Sequence, residues 1–441
     1  MAQFQEALVR DTVLVVGAPR LDTFAALKQY ADEYGKKIKI VVIADKKKLK
    51  SLKRINKLKK TRQFKLIECN FNSATDIKKH IDPLASSLLA VTAQFENVIP
   101  EFKKLIPHVP YLHTPTSESL DWATDKVKMR RMMDAAGAKL NPKFMVVKNI
   151  GDKTIADIEK KIGYPLIVKP SGLAGSRLVS PCYHEDELKV ALKSIDKAIE
   201  VVHKKQAGRG NPQILVEEMM EGSMYSIDAY VNDRGNTYLL PPVHVKTGRA
   251  IGFDDYFGYQ QLTPTKLKKS SVDEANHAAQ AAVKALGMRS TTAHVELMRT
   301  VKGWKIIEVG PRQGGFRHQL YNMSFGVNHI LNDILIRIPQ KPIISKKRKG
   351  FSAALKIYGK KEGFLNKVQG LAKIKKLDSF VRVNQNMKLG DKVAFARNGG
   401  GSAYDFFLFN KDRSKLLADI RRIEKSFKLD IESGRAKSDK A

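Results

Sequence analysis

Cysteine is almost missing from this chain: Cys69 and Cys182 are the only two in 441 residues. They have no metal-binding spacing and could pair only with each other, which excludes a disulfide framework and a cysteine-based zinc site. A reducing cytoplasm is therefore the expected location. Long apolar runs are missing too. None approaches the ~20 residues that span a bilayer, and the opening MAQFQEALVRDT has no signal-peptide pattern, so no membrane role is expected. Acidic residues are few, 45 against 79 lysines and arginines, for a net charge of +34. That excess invites a nucleic-acid partner. Yet the lysines are spread along the chain without an RNP, KH or zinc-finger motif, and anionic substrates or a lysine-rich proteome explain the charge as well. The glycines of a dinucleotide fingerprint are missing around Gly17, there is no Walker A sequence, and no internal repeat is visible.

What remains is a globular composition, 43% apolar, with length for two or three domains. Up to His113, short apolar strands at Val13–Val16, Ile38–Ile43, Phe64–Glu68 and Leu88–Val91 are separated by helical stretches. This predicts an α/β parallel-sheet domain over 1–113. Between the second and third strands, DKKKLKSLKRINKLKKTR places Leu49, Leu52, Ile55 and Leu58 at helical intervals under a basic face. A two-lobed α+β core is expected over 114–343, with a lobe at about 140–218. A smaller α+β region follows over 344–441, with a final amphipathic helix near 413–427 and a polar tail.

The most informative stretch is HVELMRTVKGWKIIEVGPRQGG, from His294 to Gly315. It reads as a β-hairpin with strands at Val295–Thr300 and Trp304–Val309 about a turn at Val301-Lys302-Gly303. Symmetry about Lys302 sets Glu296 opposite Glu308 and gives Glu296, Met298, Ile306 and Glu308 one face. Two carboxylates ~5 Å apart repel by roughly 3 kcal/mol at an effective dielectric of ~20, so a cation is required between or beside them. A lysine or arginine could supply it, and so could a divalent ion with oxygen ligands. Arg312 and the bare amides of Gly314-Gly315 then suit an anion next to it.

Upstream, Thr124 is a plausible N-cap that puts Lys126 in a first helical turn, with Gly137 as the stop. YPLIVKP ends a strand at Lys169, and Ser171-Gly172 to Gly175-Ser176 form a small-residue loop, an arrangement able to hold phosphate. ILVEEMMEG ends a strand at Glu217-Glu218 and opens a linker at Met219-Met220. VHVKTG places His244 and Lys246 on a strand, with His244 read as a structural histidine. Ser271 and Glu274 form a capping box for a helix ending at Gly287.

Taken in order, Lys126, Lys169, Glu217-Glu218, Glu296 and Glu308 make the chain resemble the ATP-grasp superfamily. The type is the carboxylate–amine or thiol ligase, as in biotin carboxylase, carbamoyl phosphate synthetase and the L-amino-acid ligases. The likeness covers about 111–325 by motif. It implies ATP held between two lobes, with Mg2+ (two ions, Mn2+ as the alternative) at Glu296 and Glu308. Lys126, Lys169, Ser171, Gly172, Gly175, Ser176, Glu217, Glu218, Met219 and Met220 would contact the nucleotide. Arg312 and Lys246 would act in catalysis, with Gly314 and Gly315 at the substrate. The implied reaction is ADP-forming: a small carboxylate is activated as acyl phosphate and joined to an amine or another nucleophile. A carboxylase or carbamoylation component is an alternative that lacks a biotin-bearing Met-Lys-Met site. An idle scaffold binding nucleic acid is another, and a homodimer is compatible with either. The chain departs from the pattern at Met224, where a glutamate usually binds ribose and Glu221 could substitute. It departs again at Gly310, where an asparagine often completes the metal set.

Overall fold

The computed structural model describes residues 10–35, 37–49, 64–173, 177–205, 213–253, 255–338, 340–345 and 347–433. Gly175, Ser176 and the basic run holding Leu52, Ile55 and Leu58 lie outside the described residues, as does the tail from 434.

Strands β1 (Thr12–Val16), β2 (Lys39–Asp45), β3 (Lys65–Cys69) and β4 (Leu88–Ala93) form a parallel sheet in the order β3-β2-β1-β4. Both faces are buried, which is why these strands read as continuous apolar runs. Leu14 and Val16 enter one apolar cluster, Val13 and Val15 the other. A second sheet contains β5 (Phe144–Val147), β6 (Leu166–Pro170), β7 (Ser180–Cys182) and β8 (Ile214–Glu218), antiparallel in the order β5-β8-β6-β7. Apolar residues of helices Asp152–Lys161 and Glu185–Lys205 pack on it.

The central sheet is antiparallel and larger. Its strands are β9 (Ser223–Val231), β10 (Thr237–Leu239), β11 (Val243–Thr247), β12 (Gly258–Thr263), β13 (Thr291–Thr300), β14 (Gly303–Gly310), β15 (Phe351–Ile357), β17 (Phe380–Gln385) and β19 (Tyr404–Asn410). They run in the order β14-β13-β9-β11-β12-β15-β19-β17, with β10 on β9. The strands after residue 344 thus extend the central sheet, where the sequence suggested a separate region. β16 (Gly363–Gln369), β18 (Lys392–Val393) and β20 (Lys428–Glu432) make a small sheet beside it. The amphipathic helix Arg413–Ser426 covers this end through Leu416, Ile420 and Ile423.

Helix His329–Leu335 is buried at every residue and sits between the parallel and central sheets. Its Asp333 accepts hydrogen bonds from Thr92 of β4 and Thr292 of β13, both at 2.6 Å, and pairs with Arg337 at 3.2 Å. One carboxylate therefore fixes the two sheets against each other.

Two helix starts differ from the sequence reading. Asp125, not Thr124, caps helix Lys126–Ala135, its carboxylate accepting from the Val127 and Lys128 amides. Thr124 instead ends the preceding helix, its hydroxyl donating to the Leu120 carbonyl. The Ser271–Glu274 box is not formed: helix Lys269–Ala285 begins two residues earlier, with no side-chain cap.

Candidate active site

The β13–β14 hairpin does set Glu296 opposite Glu308, by a different route from simple symmetry. At its tip Thr300 faces Gly303 and Leu297 faces Ile306; the register then shifts, and Glu296 meets Glu308. Ile307 is the extra residue of a β-bulge, which turns the strand by one position. Ile306 therefore lies in the core with Leu297 and Val295, not on the face of Glu308. Gly303, at φ +97°, permits the tight turn.

Both carboxylates line a cleft of about 790 Å³ bounded by residues next to the parallel and second sheets and by the central sheet. Lys126 reaches Glu308 at 3.3 Å and donates to the Leu173 carbonyl at 2.8 Å. Glu296 is met by His294 Nε2 at 3.2 Å, while His294 Nδ1 lies 2.6 Å from Asp228. With a carboxylate at each ring nitrogen, His294 is held as an imidazolium. Burial opposes that charge, and Asp228 more than compensates, raising the His294 pKa. Burial likewise opposes ionisation of Glu296, but the His294 N–H, with Arg312 and Arg317 nearby, keeps its carboxyl below the ordinary range. Asp228 has no exposure and also receives His329 Nε2 at 2.7 Å and the Gly314 amide at 2.8 Å. Tyr230 closes the chain on His329 Nδ1 at 2.6 Å.

Arg312 lines the cleft, and its Nε and Nη2 both donate to Glu96 Oε2, at 3.1 and 2.8 Å. Glu96 follows β4, so the parallel sheet supplies part of the cleft wall, together with Arg20. A Cβ on Gly310 would stand 3.4 Å from the Arg312 guanidinium carbon. The arginine thus occupies the space that a longer side chain at 310 would need.

The second sheet contributes Gly172 and Leu173 to the cleft. Behind them Lys169 lies 2.6 Å from Glu217, and Arg130 grips the same carboxylate at 2.7 Å. Burial raises the Glu217 pKa, but the two cations outweigh it and bring it down to about 2. Burial, with Arg130 and Lys126 nearby, lowers that of Lys169 despite Glu217. Arg130 also donates to the Ile307 carbonyl at 2.9 Å, so a fully buried guanidinium ties the second sheet to the hairpin bulge. The Ser171 hydroxyl is buried and finds no hydrogen-bond partner among the described residues.

Several expected residues stand elsewhere. Glu217 is an internal anchor, and Glu218 pairs with Lys302 at 3.2 Å. The Met219 amide donates to the Pro165 carbonyl at 3.1 Å, and neither Met219 nor Met220 lines the cleft. Lys246 is not brought to it: Val245 lines the cleft, and strand alternation sends Lys246 to the opposite face. The Gly314 amide points inward to Asp228, while Gly315 lines the cleft. Arg317 and Lys356, unassigned from sequence, also line it.

Among the described residues no three acids, histidines or cysteines converge as a metal cluster. Two carboxylates facing open space can hold an oxygen-liking cation only if a ligand or water completes its shell. The donor set fits that use: hard oxygens on one wall, with Lys126 and the orphaned Ser171 hydroxyl on the side where phosphate would lie.

Residues 162–319 match the family model for the ATP-grasp domain. An uncharacterized protein, y4rH, of Sinorhizobium fredii is 25% identical over 290 residues, 65% of this chain and 56% of that protein. A D-alanine–D-alanine ligase of Streptococcus pneumoniae is 27% identical over 172 residues, 37% of this chain and 45% of the ligase. The chain spans about half the length of these curated relatives. The solved L-amino acid ligase from Bacillus licheniformis superposes with a TM-score of 0.70 at 18% identity, covering 96% of this chain and 99% of that one. No helix among the described residues is long and apolar enough to cross a membrane. The ATP-grasp domain match thus lies at the centre of the chain, residues 162–319, and the fold of the L-amino acid ligase is shared over nearly its whole length.

Proposed function

We propose that the cleft binds ATP with magnesium and that the protein is an ADP-forming ligase, activating a small carboxylate and joining it to an amine. The observation that carries this reading is the meeting of Glu296, Glu308 and Arg312 in one cleft, with Lys126 paired to Glu308. Glu296 and Glu308 would hold Mg2+, which would offset phosphate charge when bound. Gly172 at the β6 end lines the cleft, and Lys169 and Ser171 behind it, with Lys126 at its side, would meet the phosphates. The substrate carboxylate lies on Arg312. Its oxygen attacks the γ-phosphorus and ADP departs, leaving an acyl phosphate; the amine then attacks the carbonyl carbon and phosphate leaves. Fixed cations at Lys126, Lys169 and Arg312 favour the charge that develops during transfer, and they are preorganised by Glu308, Glu217 and Glu96. The second sheet would act as the mobile lobe over the nucleotide.

Purified protein with Mg-ATP and a panel of carboxylates and amines should release ADP only when both co-substrates are present. Glu308→Gln should abolish that release with unchanged circular dichroism. A full panel without ADP release, run beside an active ligase, rules the reading out.

A further inference from the structure

On three neighbouring strands of the central sheet, consecutive residues look into two different cavities. Met224 of β9, Val245 of β11 and Gln261 of β12 line the cleft; Tyr225, His244 and Leu262, one residue away on each strand, line a second cavity of about 360 Å³. The two spaces stand back to back across a single layer of sheet.

The second cavity is walled by Lys266 and Lys268, by Arg299 of β13 and by Arg413 at the start of its helix. No aspartate or glutamate lines it. None of these four cations forms an ion pair among the described residues. The Arg413 Nε is buried without a hydrogen-bond partner among the described residues. Helix Lys269–Ala285 begins at the rim with neither a side-chain cap nor an acid in its first turn, leaving its leading amides open to an anion. Burial, with Lys246 and Arg413 nearby, lowers the pKa of His244, another sign of a positive field. The floor is a ring surface: Tyr225 and His244 are 5.1 Å apart by ring centroid.

Four unpaired cations from three segments of the chain, an open helix start and an aromatic floor suit a compact, highly charged anion carried on a small organic group. We propose that this second cavity binds a phosphate-bearing small molecule, and that it is a site separate from the cleft. Because its floor strands also form the cleft wall, occupancy would be felt at Met224, Val245 and Gln261. The inference stands independently of the reaction assigned to the cleft.

Calorimetric titration of the intact protein with inorganic phosphate and with phenyl phosphate, at constant ionic strength in chloride, tests it. A saturable event of one equivalent is expected. It should survive Arg312→Ala in the cleft and weaken by about tenfold or more in the doubly substituted Lys268→Ala, Arg299→Ala protein, whose altered side chains are exposed. An Arg413→Ala protein should lose affinity similarly. Phenyl phosphate binding more tightly identifies an ester as the ligand, and phosphate binding equally well identifies the free anion. Trp304, edge-on to Tyr225 at 5.3 Å, should report the same event by its emission. Binding that is lost in Arg312→Ala, or unchanged in the Lys268/Arg299 protein, or never saturates, overturns the proposal.

Discussion

His294 hands Asp228 a 2.6 Å hydrogen bond behind the cleft wall, and the same carboxylate receives the amide of Gly314. One buried anion thereby positions both the partner of Glu296 and the loop after Arg312. Asp228→Ala leaves two buried histidines without their acceptor and should cost about 3 kcal/mol of stability. Asp228→Asn, which keeps an acceptor oxygen, should lose less stability but still reduce ADP release, because His294 is no longer held as a cation. Urea unfolding and steady-state turnover on the two proteins check both parts.

The glycines of the β14 loop separate sharply in their tolerance. A Cβ on Gly314 would fall 2.5 Å from His294 Nδ1 and 2.6 Å from Arg317, whereas Gly315 has nothing within 4 Å. Gly314→Ala should therefore destabilise by about 2 kcal/mol or more, and Gly315→Ala by less than about 0.5 kcal/mol. Thermal unfolding distinguishes them.

Position 310 gives a less intuitive result. Gly310→Asn, the residue that the ATP-grasp resemblance leads one to expect there, should lower turnover, because its amide would displace the Arg312 guanidinium from Glu96. Gly310→Ala, whose Cβ is in ordinary contact, should be near neutral. Loss of about tenfold in kcat/KM for the asparagine protein, against little change for the alanine, is the expected pattern.

Acid stability should follow Glu217. Its folded pKa is depressed to about 2 from the ordinary 4.5. The stabilisation is thus complete above pH 4.5 and is lost as pH falls from there toward 2. The loss should reach about 3 kcal/mol, and Glu217→Gln should flatten this part of the pH profile while lowering stability near neutrality. Urea unfolding at stepped pH reads it directly.

Lys246→Ala should keep nearly full turnover, since the side chain leaves the sheet on the face away from the cleft. Lys169→Ala should lose activity and, by stripping Glu217 of one partner, stability as well. Parallel assays of the two variants separate a phosphate-side lysine from a bystander.

The parallel sheet was legible because its strands are apolar on both faces. The acidic pair was legible because strand pairing is a matter of counting, although the bulge at Ile307 corrected a tip register that differs by one. Lys246 misled because a strand residue is aimed by parity, and parity needs a neighbour of known direction. Arg130 belongs to no motif within KVKMRRMMDA, yet it falls three residues from both Val127 and Met133 on the buried stripe. Asp228, a lone acid in the apolar strand SIDAYV, was a signal of the same kind. The Asp333 link between sheets had no local mark, since its partners are 241 and 41 residues away in sequence.

The bulge at Ile307 gives the hairpin one residue more than its strand pairing needs. Val301 at the tip is fully exposed, and extra residues there would merely lengthen a loop. Removing Ile307, six positions on, would join the Leu297–Ile306 pair directly to the Glu296–Glu308 pair, so both carboxylates would keep their face; what would be lost is the local bend and the carbonyl that Arg130 grips. In this hairpin, then, the surplus residue serves the link to the neighbouring sheet, and the acidic pair does not depend on it.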